Sequence, residues 1–170
     1  MITSRRPTRA AVAGFVGALL LAGIWVAASA LQRAPRDGIP ADAIVVTVGR
    51  VVDGDTLVTA EGARVRLIGI DAPEVRPETE CGADAATARL RELAPEGGRA
   101  WVLADSEGLD RFDRDLRYLW TEDGIFVNEA LVAEGRARTL RIAPNVRYAD
   151  RFAAAESDAR TNGVGLWGVC

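Results

Sequence analysis

A run of β-branched residues that ends in an Asp-Gly turn limits the folds open to this chain more than any other feature. Residues 44–52 read Ile-Val-Val-Thr-Val-Gly-Arg-Val-Val, a composition typical of a strand. Asp53-Gly54 is a strong hairpin signal, and Glu61-Gly62 makes a second turn after a short return strand. The predicted strands are residues 44–52, 56–60 and 64–70. Together they predict an antiparallel meander of three strands.

Helical periodicity follows the meander, and two further strands come after it. Alanine and leucine residues recur at spacings of three and four between positions 83 and 93, which predicts a helix over residues 82–94. The later predicted elements are strands at 100–104 and 116–120, a helix at 127–134 and a last helix that Pro144-Asn145 opens and Gly163 ends. This element order is that of an OB-type barrel. The predicted fold class is α+β: a five-stranded OB-type β-barrel with about three helices, preceded by an N-terminal hydrophobic helix.

Residues 1–31 have the pattern of a targeting segment. Three arginines lie within the first nine residues, and residues 10–31 carry no charge. Cleavage near Ala30, after the small residues Ala28-Ser29-Ala30, would release a soluble protein. The uncleaved segment is alternatively long enough to anchor the protein in a membrane as a helix over residues 10–31. Both alternatives, a signal peptide and an N-terminal anchor, predict an extracytoplasmic location for the rest of the chain.

The rest of the chain divides into a linker and one domain. Residues 32–42 contain two prolines and a glycine, which predicts a linker, and residues 43–170 are predicted to fold as a monomeric domain. Without the three N-terminal arginines the chain carries 18 basic and 24 acidic residues. Because this balance is acidic, any binding of nucleic acid must depend on a local cluster of arginines.

Two cysteines are consistent with export. Cys81 lies in the middle of the chain and Cys170 is the last residue. An oxidising compartment permits a disulfide between them, which would tie the C-terminus to the domain. The alternative is a pair of free buried thiols. We expect the disulfide.

The basic residues exclude several classes of mechanism. All 21 of them are arginine, and the chain has no histidine and no lysine. Catalytic triads that contain histidine, zinc sites with histidine ligands and general bases made of histidine are therefore excluded. The missing lysine also excludes a P-loop or Schiff-base enzyme. Any general base must be Asp, Glu, Tyr or a thiolate.

Carboxylates and arginines recur at strand ends and turns, where their side chains can converge. The three segments are Asp53-Gly54-Asp55-Thr56, Arg66 to Glu74 with Asp71-Ala72-Pro73-Glu74 at its end, and Asp110-Arg111-Phe112-Asp113-Arg114. Taken alone, each has a plain explanation as a turn or a solvated loop. Together they supply ligands for a hard cation and guanidinium groups for a phosphate. That combination indicates metal-assisted cleavage of a phosphodiester.

The order and spacing of these segments resemble the thermonuclease family, the staphylococcal-nuclease-like domain. The shared pattern is Asp-Gly-Asp-Thr, then Arg-(four residues)-Asp-x-Pro-Glu, then Asp-Arg-aromatic-x-Arg. The resemblance extends from about Ile44 to Trp167 and includes residues 127–132 and the closing Gly165-Leu166-Trp167. It therefore covers nearly all of the predicted domain, and it implies the same barrel fold.

The resemblance implies a calcium site. Asp55 and Asp71 are similar to the carboxylates that bind Ca²⁺ in the family, and Asp53 to an acidic residue just outside that ligand set. Ala72 stands where the family supplies a main-chain carbonyl and commonly has threonine. A backbone ligand survives this change of side chain, but a hydroxyl group near the site is lost.

The resemblance also implies three catalytic residues and a substrate. Glu74 matches the glutamate proposed to orient or deprotonate the attacking water. Arg66 and Arg114 match the arginines that bind the phosphate and stabilise charge in the transition state. The implied activity is calcium-dependent hydrolysis of DNA and RNA with little sequence preference, leaving 3′-phosphates. The alternative is a non-catalytic nucleic-acid- or protein-binding OB-type module at the cell envelope.

Three departures from the family pattern concern the substrate. Asp113 stands where glycine is common, and Phe112 replaces a common tyrosine. Residues 138–143 lack the tyrosines that stack on a nucleotide in the best-known member of the family. Stacking contributes on the order of 1–3 kcal/mol per base, so the sequence supports catalysis better than tight substrate binding. Two alternatives remain for Arg136, Arg138 and Arg141: they compensate electrostatically for the missing stacking, or they form a solvated surface.

Overall fold

The computed structural model describes residues 38–170. Its strands are β1 (Ile44–Val51), β2 (Thr56–Thr59), β3 (Arg64–Leu67), β4 (Ile70–Asp71), β5 (Arg99–Leu103), β6 (Asp115–Thr121) and β7 (Arg138–Thr139). Its helices are α1 (Ala83–Leu93), α2 (Val127–Ala133), α3 (Ala149–Thr161) and α4 (Leu166–Val169).

Five of the strands close into a barrel in the order β1-β2-β3-β6-β5. The first three strands form the antiparallel meander, β5 pairs with both β1 and β6, and β3 pairs with β6 in parallel. Residues that alternate between strand faces fill the interior, among them Leu57, Val65, Leu67, Val102 and Leu119, all almost fully buried. The predicted five-stranded barrel is confirmed, as are its three main helices.

The third strand differs from the prediction. It was expected to run unbroken over residues 64–70, but it ends at Leu67, and the chain turns before the short strand β4 pairs with β7. Gly69 makes this turn with φ of 79°, a conformation that glycine adopts without steric cost. A Cβ at Gly69 would lie 2.5 Å from the ring of Phe152. The turn therefore depends on packing against a helix that is far away in sequence.

The last long helix also differs from the prediction. It begins at Ala149 rather than at Pro144-Asn145. The side chain of Asn145 instead holds the loop before β6: its Oδ1 accepts a hydrogen bond from the Glu107 N–H at 2.8 Å, and its Nδ2 donates to the Glu107 carbonyl at 3.0 Å. The side chain of Asn145, predicted to lie at a helix start, therefore links two loops by hydrogen bonds.

A buried asparagine fixes the end of β3 against β6. Asn128, at the start of α2, is fully buried. Its Nδ2 donates to the carbonyl of Ile68 at 2.9 Å, and its Oδ1 accepts from the N–H of Leu119 at 2.9 Å. Because both of its polar groups are paired, burial leaves no unsatisfied donor or acceptor there. This link sets the position of the turn that leads to Asp71.

An aromatic cluster packs α2 and α3 onto the barrel. Trp120 stacks on Phe126 with ring centroids 4.5 Å apart, and Tyr118 meets Tyr148 edge-on at 4.7 Å. Phe152 from α3 completes the cluster. The Tyr118 hydroxyl donates to Asp105 at 2.8 Å, which satisfies the polar end of a buried ring.

The start of the packed region lies within the segment predicted as a linker. Ile39 and Ala43 pack against the core. The predicted N-terminal hydrophobic helix and the targeting segment, residues 1–31, lie outside the described residues. Within residues 38–170, none of the helices combines the length and the apolar composition needed to cross a membrane.

A disulfide joins Cys81 to Cys170 across 89 positions of the sequence. We expect protein purified from an oxidising compartment to have an intact mass about 2 Da below that of the reduced chain, since the bond removes two hydrogens. Reduction should lower the free energy of unfolding by about 3–5 kcal/mol in the chain-entropy treatment. Mass spectrometry before and after reduction checks the pairing, and two thiols that alkylate without reductant would refute it.

Candidate active site

The turn between β1 and β2 presents Asp55 to the interior. The side chain of Asp53 accepts a hydrogen bond from the Asp55 N–H at 3.1 Å, the local contact by which aspartate favours turns. The carbonyl of Asp55 accepts from the N–H of Leu67 at 2.8 Å, which connects the turn to β3. The Asp-Gly-Asp sequence is therefore more than a hairpin connection, because it places one carboxylate inside the molecule.

Asp55 is a buried carboxylate with several partners. Its side chain is 6% exposed. It accepts hydrogen bonds from the Ala72 N–H at 2.8 Å and the Thr56 hydroxyl at 3.1 Å, and it pairs with Arg66 at 3.0 Å. Burial raises the pKa of Asp55 to about 7, and the charge of Arg66 and the Ala72 hydrogen bond offset that only in part. Its negative charge is costly in the buried site.

Arg66 on β3 connects the two candidate metal ligands. Its Nη2 lies 3.0 Å from Asp55 Oδ2 and 2.9 Å from Asp71 Oδ1. Its Nη1 donates to the carbonyls of Leu67 and Ile70 at 2.8 and 2.9 Å. An arginine inside a strand either occupies an edge position in water or is aimed at an anion. Arg66 takes the second arrangement, with the protein's own carboxylates as the anions.

Glu74 lies in the loop after β4, close to these charges. Glu74 is more exposed than Asp55, but part of it is covered by the protein. Partial burial raises the pKa of Glu74 above its ordinary value, the charges of Asp53 and Asp71 raise it further, and Arg66 lowers it. A carboxylate with a raised pKa is the stronger base. Glu74 is thus suited to accept a proton beside the two aspartates.

The loop before β6 holds the second arginine. Asp110 Oδ2 pairs with Arg114 Nε at 2.6 Å, and Asp110 Oδ1 accepts from the N–H groups of Phe112 and Arg114. Burial raises the pKa of Asp110, but these hydrogen bonds outweigh it, and the pKa lies below its ordinary value. Among the described residues, the two Nη groups of Arg114 have no hydrogen-bond partner. Asp110 therefore holds Arg114 by one edge of its guanidinium.

The residue that departs from the family glycine has the backbone that glycine favours. Asp113 has φ of 57°, a left-handed conformation that aspartate tolerates better than most residues. The glycine common at this position in the family fits the same turn without steric cost. The substitution therefore leaves the loop shape intact and adds a negative charge next to Arg114.

Parallel pairing of β3 with β6 brings both arginines to one groove. Arg66 is opposite Leu116 in this register, and Arg114 comes just before β6. Both line a groove of about 530 Å³. Its other lining residues include Ile68, Gly69, Leu109, Phe112, Leu140, Ile142 and Asn145. The groove is large enough for a nucleotide, and its lining combines cationic and apolar side chains.

The donors around Asp55 and Asp71 fit a hard cation. The two carboxylates share one guanidinium nitrogen, and the carbonyl of Ala72 directly follows the second of them. Calcium prefers carboxylate and carbonyl oxygens, and a cation would offset the cost of the buried charge on Asp55. Within residues 38–170, no group of three or more acidic or cysteine side chains is close enough to hold a metal. The protein would thus supply two carboxylates and a carbonyl, with water or substrate completing the ligand set.

Gly54 leaves no room for a side chain between two parts of the site. A Cβ there would lie 2.6 Å from the Cβ of Ala72 and 2.7 Å from that of Ala86. We expect Gly54→Ala to lower the free energy of unfolding by about 1–3 kcal/mol through overpacking. It should also weaken calcium binding, since Asp55 and Ala72 must move apart.

Chemical denaturation and calorimetry measure the two effects of Gly54→Ala. The matched control is Gly108→Ala, where a Cβ would meet only the end of the Arg117 side chain, at 3.5 Å. Equal stability of the two variants would show that the contact around Gly54 is looser than the structure indicates.

The structure brings together most of the residues predicted from the sequence. Asp53, Asp55, Arg66, Asp71 and Glu74 form one cluster, and Arg114 lines the same groove as Arg66. Sequence reasoning missed Glu80, which bonds to the backbone of Glu74. It also assigned no role to Asp110, although the spacing of Asp110 and Arg114 was a signal for an ion pair.

Comparison with known proteins identifies the family of the chain. Residues 64–169 match the family described as Staphylococcal nuclease homologue. The thermonuclease of Staphylococcus intermedius is 35% identical over 127 residues, which cover 71% of this chain and 74% of that protein. The thermonuclease of Staphylococcus hyicus is 34% identical over 125 residues, covering 69% and 72%. Endonuclease YncB of Bacillus subtilis is 33% identical over 130 residues, covering 72% and 61%. The chain thus belongs to the staphylococcal nuclease homologue family.

Proposed function

We propose that the protein is a calcium-dependent nuclease that hydrolyses phosphodiester bonds in DNA and RNA with little sequence preference and leaves 3′-phosphates. The observation that carries the proposal is the meeting of Asp55 and Asp71 at Arg66, next to Glu74. The relatives named thermonuclease and endonuclease support nuclease activity at the level of the family.

Each side chain of the cluster has a role in this proposal. Asp55, Asp71 and the carbonyl of Ala72 would hold Ca²⁺, and Asp53 orders the turn that carries Asp55. Bound calcium supplies positive charge that polarises the phosphodiester. Glu74 accepts the proton of the attacking water, a role that no histidine or lysine can take in this chain.

The two arginines bind the phosphate from the groove. A guanidinium matches two phosphate oxygens with parallel hydrogen bonds. Arg114 is held through its Nε, so its Nη groups remain for the substrate. Arg66 already pairs with two carboxylates, so it acts beside the metal ligands. Contacts that strengthen as negative charge builds up on the phosphate oxygens lower the barrier rather than only the dissociation constant.

The alternative function is a non-catalytic nucleic-acid- or protein-binding module at the cell envelope. One observation favours it: the rim of the groove exposes Leu109, Phe112 and Ile142, each more than half accessible to solvent. These exposed apolar side chains would contact a base or a partner protein whether or not the site cleaves a phosphodiester. The arginines and carboxylates are nevertheless complete, which favours catalysis.

The location that we propose is outside the cytoplasm. The Cys81–Cys170 disulfide supports this, because such bonds persist mainly in oxidising compartments. The protein is either held in the membrane by residues 10–31 or secreted after cleavage near Ala30, and it acts as a monomer. Fractionation of cells, followed by N-terminal sequencing of the mature protein, separates the two alternatives.

Removal of calcium should stop cleavage. We expect the full chain to degrade plasmid DNA and RNA in millimolar calcium, to lose this activity in excess EGTA, and to recover it when calcium is added back. Gel electrophoresis follows the cleavage. The 3′-phosphate ends should block extension by a polymerase until a phosphatase removes them. Full activity in excess EGTA would refute the calcium assignment.

A further inference from the structure

The backbone of Glu74 is held by a single residue six positions later. The segment between β4 and α1 contains no other strand or helix, and most of its residues are exposed. Two hydrogen bonds close it into a loop, here called the 74–80 loop. The Glu80 N–H donates to the carbonyl of Glu74 at 2.9 Å, and the Glu74 N–H donates to Glu80 Oε2 at 3.1 Å. Glu80 thus fixes both polar groups of the Glu74 backbone.

Glu80 is in turn anchored outside the loop. The next residue, Cys81, is bonded to Cys170 at the end of α4. At Gly82 the chain passes so close to Leu166 that a Cβ would lie 2.4 Å from its Cδ2. Leu166 itself is buried. The disulfide and this contact together tie the end of the 74–80 loop to the C-terminal helix.

The anchored end borders the proposed calcium ligands. Asp71, Ala72, Glu80 and the Cys81–Cys170 disulfide line one cleft of about 230 Å³. Glu80 and the disulfide therefore border the same cleft as Asp71 and Ala72. A change at the disulfide would reach Glu74 through Glu80 without passing through the barrel core.

We propose that Glu80 and the Cys81–Cys170 disulfide are positioning elements that hold Glu74 in place for the reaction. This inference rests on the proposed function. An exposed segment without regular structure loses order readily, and a shift of about 1 Å in a reacting group can lower a rate by as much as 10²-fold. Glu80 touches neither metal nor substrate in this role, since it acts through the backbone of Glu74.

Three single variants of the full chain test the Glu80 contact. Glu80→Ala removes the acceptor, Glu80→Gln retains an acceptor oxygen, and Glu78→Ala is the matched control, because the Glu78 side chain makes no hydrogen bond or ion pair within residues 38–170. We expect Glu80→Ala to lower kcat by about 10-fold with little change in KM. Glu80→Gln should restore most of the rate, and Glu78→Ala should match the wild type.

Hydrogen exchange gives a readout that does not depend on activity. Measured without substrate, the peptide that contains residues 74–80 should exchange at least several-fold faster in Glu80→Ala than in the wild type. The double variant Cys81→Ser/Cys170→Ser should show the same local change, with a lower kcat, while the strands of the barrel lose protection only by the fall in global stability and stay better protected than the loop. Exchange of those strands also shows whether each variant is folded.

The outcomes separate this inference from the proposed function. Unchanged exchange of the 74–80 loop in Glu80→Ala would overturn the inference, and so would faster exchange with an unchanged kcat. A change in KM alone would mean that Glu80 affects substrate binding and not Glu74. A wild type that never cuts would refute the proposed function, and exchange alone would then decide whether Glu80 holds the loop.

Discussion

Glu74→Gln should lower the turnover of a short oligonucleotide by at least about 10²-fold, the size of a typical general-base contribution. The amide keeps the shape of the side chain but cannot accept the proton of the attacking water. Affinity for the oligonucleotide should stay the same or improve, because a negative charge near the phosphate is lost. Single-turnover cleavage and fluorescence anisotropy measure the two quantities separately.

The pH dependence of cleavage gives a second signature of Glu74. Its pKa is raised by partial burial and then by neighbouring acidic charges. A general base works when deprotonated, so at saturating calcium the wild-type rate should rise with pH through the pKa of Glu74 and level off above it. Glu74→Gln should lose that rise, and Glu78→Gln in the same loop is the control that should keep it. Cleavage by Glu74→Gln at the wild-type rate would mean that another group or bulk hydroxide is the base.

Asp55→Asn and Asp71→Asn should each nearly abolish calcium-dependent cleavage. Each variant removes one charged ligand from a set that contains only two carboxylates, and calcium binding depends strongly on ligand charge. Isothermal titration calorimetry should show much weaker calcium binding in both. A variant that retains wild-type calcium affinity would remove that aspartate from the ligand set.

The two aspartate variants should differ in stability. The Asp55 side chain is 6% exposed and pairs with an arginine that is 12% exposed, whereas the Asp71 side chain is 54% exposed. Asp55→Asn alters the more buried of the two carboxylates that pair with Arg66 and should change the free energy of unfolding, by about 1–3 kcal/mol. Asp71→Asn should leave it almost unchanged. Thermal unfolding without calcium measures the difference, and equal effects would contradict the burial that the structure assigns to Asp55.

Local sequence was enough to predict the barrel but not its interruptions. The β-branched run and the Asp-Gly turn predict their strands because strand period and turn chemistry are encoded within a few residues. The break at Gly69 was not predictable in this way, since it depends on the ring of Phe152. The start of α3 was missed for the same reason: Asn145 bonds to Glu107, which lies 38 positions earlier in the chain.

The same distinction applies to the site. Asp55, Asp71 and Arg66 could be grouped from their order and spacing, and the structure places them in contact. The contact of Arg66 with both carboxylates could not be predicted. It requires the turn between β1 and β2 to face the end of β3. The hydrogen bond from the Glu74 N–H to the Glu80 side chain could not be predicted either, since it forms within an irregular loop.

One measurement tests the central claim most directly. A 5′-labelled oligonucleotide is bound to excess full chain, wild type or Glu74→Gln, in calcium, and the bound fraction and the cut fraction are followed in the same sample. The account predicts that both proteins bind it, that the wild type cuts it, and that Glu74→Gln cuts at least about 10²-fold more slowly. An oligonucleotide that the wild type binds in calcium and never cuts would contradict the nuclease and leave the binding module.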